Sequence, residues 1–273
     1  MLVVANVGDS DCLLGGVLAD GSIGFEQLCA EHSPMSPDEY IRVARLTEQR
    51  DEEWEPALFV YDADDDLLEI FAVTEEGSVS IDQALAARLD ELGVGYKTAR
   101  GDRPTALVVP ETDDYGQQKL GMTRALGDFY MQHHGCTWEP AVSCIDLFDL
   151  VTQLSQVTLV IASDGLWDVW SYKDVLKYPL RATAAGSRSP ADAHLRPEVV
   201  GTHLTDVREP TLQAHAPMQR ATPRLTSRLC VCVWQLISET RRESADMFGE
   251  SADNITAVCV AFDTIVPADD MAI

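Results

Sequence analysis

Apolar positions along this chain fall into short alternating or continuous runs, which predict strands, and into longer runs of helical period. Leu2–Val7 and Cys12–Leu18 read as two strands of a hairpin around Gly8-Asp9-Ser10, with Asp20-Gly21 as the next turn. Ala57–Tyr61 and Glu69–Val73 are two further short strands joined by Asp62-Ala63-Asp64-Asp65-Asp66. That acidic stretch lacks the glycine and terminal glutamate of a calcium loop, so it reads as a solvated hairpin turn. Val157–Ala162 is apolar enough for a buried strand, and Asn254–Phe262 supplies a final one.

Ser36-Pro37-Asp38-Glu39 predicts a helix start: Ser36 as N-cap, Pro37 at the first helical position, and Glu39 completing a capping box. The helix should run to about Arg50. A second box, Ser80 to Gln83, predicts an amphipathic helix with Ile81, Leu85, Leu89 and Leu92 on one face and Gly93 as its stop. Between Arg181 and Arg228 apolar periodicity lapses and seven arginines outnumber four acids, which predicts a largely disordered insert, residues 181–228. Helical period resumes over Leu229–Glu243. No internal repeat is visible.

A length of 273 residues allows one large domain or two small ones. The charge narrows the function: 45 acidic against 20 basic residues give −25, which repels nucleic acid and anionic lipid and suits divalent cations. The seven cysteines form no CxxC pair; Cys230, Cys232 and Cys259 lie inside apolar runs and do not resemble a zinc site. Reduced thiols and an intracellular protein, in cytoplasm or nucleus, are expected. The apolar start MLVVANV lacks the basic residues and cleavage site of a signal peptide, and no stretch reaches the length of a membrane span.

The candidate chemistry lies where apolar runs end. Val157–Ala162 stops at Ser163-Asp164-Gly165, and Asp168 follows four residues on, about one turn if the chain coils there. Asp9 follows VVANVG, and Asp253 precedes NITAVCV. A lone acid at a strand end is usually a turn former or helix cap. Strand ends of one sheet converge on one rim, however, and clustered carboxylates are relieved of mutual repulsion by Mg²⁺ or Mn²⁺.

ANVGDS (5–10), LGMTRALGD (120–128), WEPAV (138–142), VIASDGLWDV (160–169) and SADNITAVCV (251–260) occur in this order. Together they resemble the metal-dependent protein phosphatases, the type 2C serine/threonine class, and EHSP at 31–34 looks like that family's DHxP segment. The likeness covers most of the chain except about 51–115, a variable region, and 181–228. It implies an α+β fold, two antiparallel β-sheets packed as a sandwich flanked by helices, with the site in a cleft at one end. By this resemblance Asp164 binds a catalytic metal directly and Asp253 completes that metal's protein ligands. Asp9 and Asp168 match acids that, with Asp164, hold a third, weaker ion. The implied cofactors are two Mg²⁺ or Mn²⁺ ions, with a possible third. The implied reaction is hydrolysis of phosphoserine or phosphothreonine in proteins by a metal-activated water. The implied partners are phosphoprotein substrates, with no nucleic acid, no membrane and a monomeric state expected.

Arg124 and Asp128 of TRALGD are assigned a structural role, ordering the rim near the site. His32, His133 and His134 fall in no catalytic position of the family and are expected as surface or turn histidines. Two departures stand out. The family's earliest segment, DGHxG, supplies an aspartate that bridges both metals, and no DGH occurs here; an upstream portion is expected to be missing, with loss of sheet partners. Asp11 stands where the family usually has an arginine after GDS, an anion on a rim already rich in acids. The alternative to an enzyme is thus a catalytically inactive truncated homologue that binds phosphoproteins or other partners.

Overall fold

A computed structural model describes residues 1–50, 53–63, 66–74, 77–111, 116–147, 153–183, 194–204, 211–213, 223–248 and 255–265. Its strands in chain order are β1 Leu2–Asn6, β2 Asp11–Val17, β3 Ile23–Gln27, β4 Leu58–Ala63, β5 Asp66–Glu69, β6 Phe71–Val73 and β7 Val79–Ile81. After these come β8 Thr105–Val109, β9 Gln118–Leu120, β10 Ala141–Ile145, β11 Ser155–Ala162, β12 His194–Leu204, β13 Thr211–Gln213 and β14 Ile255–Ile265. The helices are α1 Pro37–Thr47, α2 Gln83–Ala86, α3 Phe129–His133, α4 Asp164–Trp167, α5 Tyr172–Thr183 and α6 Pro223–Phe248. Antiparallel sheets flanked by helices place the chain in the α+β class. Among the described residues no helix is long and apolar enough to cross a membrane. The chain divides into two compact units, one of Met1–Val4, Ser10–Cys29 and Val142–Ile273, the other of Ala5–Asp9 and Ala30–Ala141.

The first unit is built on a sheet of order β13-β12-β14-β11-β2-β3, antiparallel throughout. Its central strands are apolar on both faces, which is why they read as near-continuous hydrophobic runs. Leu13, Val160, Ala162, Ala257, Cys259 and Ala261 share one cluster with Val175 and Leu176 of α5 and Val233, Leu236 and Ile237 of α6. The alternate residues Cys12, Leu14, Leu159 and Val260 join a second cluster with Leu2 and Val4 of β1 and Ile145 of β10. The period of two thus feeds two separate cores from one set of strands.

Here the predicted hairpin of the first two strands is corrected. β1 pairs with β10, whereas β2 pairs with β11 and β3. Gly8 has φ +114°, its N–H donates to His32 Nδ1, and Asn6 Nδ2 donates to the carbonyls of Gly8 and Ala30. Those anchors lie about 24 residues downstream, so the stretch is a crossing held from outside and not a self-contained turn. The β2–β3 hairpin does turn at Asp20-Gly21.

The second unit holds the antiparallel sheet β5-β4-β8-β9 and the β6–β7 pair. Phe59, Tyr61, Leu107 and Val109 face a core that includes Val43 of α1 and Met131 of α3. Tyr40, Phe59 and Phe71 form an aromatic trio with ring centroids 4.7–6.1 Å apart. Helix α1 begins as predicted, with Ser36 Oγ accepting from Glu39 N–H at 3.4 Å. The second predicted helix differs. Ser80 lies in β7, Asp82 is the N-cap, and only Gln83–Ala86 is α-helical before turns lead to Gly93 at φ +76°. Asp82 outcompetes Ser80 because its carboxylate takes two N–H groups, those of Ala84 and Leu85.

The acidic turn after β4 is a hairpin in register Ala63↔Asp66, with Asp64 and Asp65 outside the described residues. Within 181–228, expected as a disordered insert, β12 pairs with β14 over eleven positions from His194↔Ile265 to Leu204↔Ile255. The final strand thereby has a partner on each side. Arg188, Arg208 and Arg220 lie outside the described residues.

Gly16 tests this packing. A Cβ there would stand 2.8 Å from the Ser155 carbonyl and 2.9 Å from Leu154 Cβ, whereas one at Gly95 meets nothing within 4 Å. Gly16→Ala is expected to lower stability by about 1–3 kcal/mol, read as a fall in the urea midpoint. Gly95→Ala should leave the midpoint essentially unchanged.

Candidate active site

Strand β11 delivers Asp164 directly. The strand ends at Ala162, Ser163 takes the N-cap position in extended backbone, and Asp164 opens the short turn α4. The turn brings Asp168 one coil onward, its N–H donating to the Asp164 carbonyl at 2.7 Å. Asp168 is buried and Asp164 half-buried. Trp167 locks the turn: its side chain is buried, its Nε1–H donates to the Ala162 carbonyl at 2.8 Å, and its ring packs edge-on against Tyr172 at 5.5 Å. Ser163 is tied to β14 in both directions, donating its N–H to the Thr256 carbonyl and accepting the Thr256 N–H on its hydroxyl, each at 3.0 Å.

The four predicted ligands are distributed as follows. Asp164 and Asp168 sit together at the end of β11 in the first unit, and Asp9 belongs to the second. Asp253 lies outside the described residues. Among the described residues no group of three or more His, Cys, Asp or Glu side chains is gathered to hold a metal ion. All four side chains are carboxylates, a chemistry that suits a hard divalent cation keeping several waters.

Asp11 is a correction. It is buried in the first unit and not spread on an acidic rim. Its Oδ2 accepts from Gln27 Nε2 at 2.9 Å and Tyr172 OH at 2.7 Å, and its Oδ1 accepts from Cys12 N–H at 2.7 Å and from the Cys29 thiol. These bonds join β2, β3 and α5. Burial, with Asp11's charge beside them, pushes both the Cys12 and Cys29 thiols up to about 12, so neither is a reactive thiolate.

In the second unit a buried carboxylate organises the TRALGD segment. Glu39 of α1 accepts from Arg124 Nε at 3.1 Å on one oxygen, and from Arg42 Nε at 3.0 Å and the Thr123 hydroxyl at 2.9 Å on the other. Arg42 also donates to the carbonyls of Gly135 and Thr123, and Arg124 to that of Glu139. The ordering role expected for Arg124 therefore has a definite agent, which the sequence disguised as a capping-box glutamate. Asp128 adopts a left-handed backbone, φ 50°, before α3 and makes no side-chain cap bond.

His32 is a second correction. It is 1% exposed, not a surface residue. Burial first, and then the charge of Arg124, push its pKa down against the opposing pull of Glu39. His133 is exposed, and His134 Nδ1 contacts the Glu55 carbonyl at 2.8 Å. Neither touches the acids above in any described bond.

Residues 107–192 match the family model of Protein phosphatase 2C, a span that contains TRALGD, WEPAV and the Asp164 turn. Over 186 residues the chain is 26% identical to Probable protein phosphatase 2C 14 of Oryza sativa subsp. japonica, covering 68% of this chain and 26% of that protein. It is 27% identical over 175 residues to Probable protein phosphatase 2C 72 of Arabidopsis thaliana, covering 64% and 37%. A shorter stretch of 91 residues is 39% identical to Probable protein phosphatase 2C 73 of Oryza sativa subsp. japonica, covering 33% and 20%. Among solved structures, the serine-threonine phosphatase 2C from Toxoplasma gondii superposes with TM-score 0.45 at 20% identity, over 96% of this chain and 54% of that one. The family-model and plant matches are all to type 2C protein phosphatases. The chain spans about a quarter to two-fifths of the length of the first two plant relatives.

The Glu39 centre makes the second unit acid-sensitive. Burial alone would raise the Glu39 carboxyl, but the Arg124 hydrogen bonds, the Arg42 charge and the Thr123 hydroxyl outweigh it and hold the pKa below its ordinary value. Its stabilisation is present above the ordinary glutamate pKa, about 4.3, and is lost as pH falls. A histidine with a depressed pKa acts in the same sense: its neutral form is favoured by folding, so stability falls as pH drops below about 6.5. Urea midpoints from pH 8 to pH 3 should fall in two stages, and His32→Asn should remove the upper one. Glu39→Ala is expected to cost about 3 kcal/mol at pH 7 because it strands two guanidinium groups, with some of each still solvated. Glu39→Gln should cost less.

Proposed function

We propose that this chain is part of a type 2C protein phosphatase domain acting on phosphoserine or phosphothreonine in proteins. We further propose that Asp164 and Asp253, with Asp9 and Asp168, are its ligands for Mg²⁺ or Mn²⁺. The observation that carries this reading is the Asp164 turn: two carboxylates one coil apart at the end of a buried strand, inside the segment matched by the family. When bound, such ions acidify water and neutralise charge on phosphoryl oxygens. The residues of this chain supply the frame. Trp167 and Ser163 fix the backbone from which Asp164 and Asp168 project, and Glu39 fixes Arg124, whose donors are taken by that carboxylate and the Glu139 carbonyl.

A second reading concerns this chain alone. The sequence holds no Asp-Gly-His triplet, the family segment that contributes the aspartate bridging two metals. On that ground the 273-residue chain binds metal weakly and turns over little substrate, and its isolated role is that of a binding module. Two measurements separate the claims. Calorimetry with Mn²⁺ should show binding that Asp164→Asn abolishes; identical isotherms would remove Asp164 from the ligand set. Phosphate release from a phosphothreonine peptide in millimolar Mn²⁺ should be close to background. Robust turnover lost in Asp164→Asn would keep the ligand assignment and overturn the claim of low activity.

A further inference from the structure

His32 binds the Gly8–Asp9 turn to the segment that carries Arg124 through four hydrogen bonds. Its N–H donates to the Gly8 carbonyl at 3.2 Å, and the Gly8 N–H donates back to its imidazole Nδ1 at 3.1 Å. Its carbonyl accepts the Thr123 N–H at 2.7 Å and, at 3.1 Å, shares the single Thr123 hydroxyl proton with Glu39. Gly8 stands at φ +114°, a conformation that side chains with a Cβ rarely adopt. Glycine adopts it freely, and both polar groups of the Gly8 backbone are bonded to His32.

The chemistry of the anchor is specific. A nitrogen that accepts from N–H carries a lone pair, so the ring proton must lie on Nε2. An imidazolium, or the opposite tautomer, would set one N–H against another. Nε2 is buried and has no hydrogen-bond partner among the described residues, so among them the Gly8 amide selects the tautomer. The neighbouring charges are Arg124 and Arg42, which disfavour the imidazolium, and Glu39, which favours it.

We infer that His32, as the neutral Nε2–H imidazole, is a positioning residue that sets the backbone of the Gly8–Asp9 turn and couples it to the Thr123–Arg124 segment. The consequence for metal binding rests on the reading of Asp9 as a ligand; the positioning itself does not.

The test is imidazole ¹⁵N NMR of the full chain at neutral pH, followed by amide exchange in two variants. The wild type should show a proton-free Nδ1 and a protonated Nε2 at His32, and a protected Gly8 amide. The reverse tautomer or a charged ring would overturn the inference without any variant. His32→Asn offers an oxygen acceptor near the place of Nδ1 and should keep Gly8 protected. His32→Gln reaches toward Nε2 instead, and Gly8 should exchange about tenfold faster or more. Equal loss of protection in both would mean the ring only fills space, and the inference fails. If these results hold but Mn²⁺ leaves the Asp9 resonances of the wild type unbroadened, the positioning stands and the metal reading of Asp9 falls.

Discussion

The second unit depends on one buried carboxylate shared by two arginines and a hydroxyl. Glu39 is 5% exposed, and charge at that depth is tolerable only when both oxygens are fully occupied. Arg42, Arg124 and Thr123 occupy them, and each partner then reaches a different backbone segment. Thr123 passes the linkage to His32, and His32 to Gly8. The Arg124↔Thr137 bridge, with Ala125 N–H donating to the Thr137 carbonyl at 2.9 Å, carries it toward Glu139. Four stretches of the sequence are thereby joined through one buried charge and the neutral bonds that extend from it.

The first unit solves a different problem. Its sheet is apolar on both faces, so each central strand must place alternate residues in two cores. A strand so constrained has little register freedom, and its end is a rigid place from which to project a side chain. Asp164 and Asp168 use that rigidity, and Trp167 closes the turn from below. Asp11 belongs to the same logic: a buried acid whose acceptors are taken by Gln27, Tyr172, Cys12 and Cys29 serves cohesion between elements.

Local signals were legible in the sequence, and long-range ones were not. The N-terminus of α1 was readable because Ser36 and Pro37 act within one turn, and β11 because its apolar run is continuous. The coil of Asp168 onto Asp164 follows from a four-residue spacing after a strand. The supposed hairpin at Gly8 failed because its anchors lie on other segments, and the predicted Ser80 helix because Asp82 offered the better cap. Glu39 and His32 were present as ordinary motif letters, a capping glutamate and a turn histidine. Nothing local marks them as buried; that follows from arginines and a glycine brought to them by the fold. A histidine directly before Ser-Pro and a helix start was the only hint available.

Glu39 joins these segments into one cooperative unit. Native-state hydrogen exchange on the Gly8, Thr123, Ala125 and Thr137 amides, in the wild type and Glu39→Gln, measures this directly. All four amides are expected to open with a common free energy in the wild type and to lose protection together in the variant. Loss confined to Thr123, with Gly8 and Thr137 unchanged, would show that the segments are held independently and would contradict it.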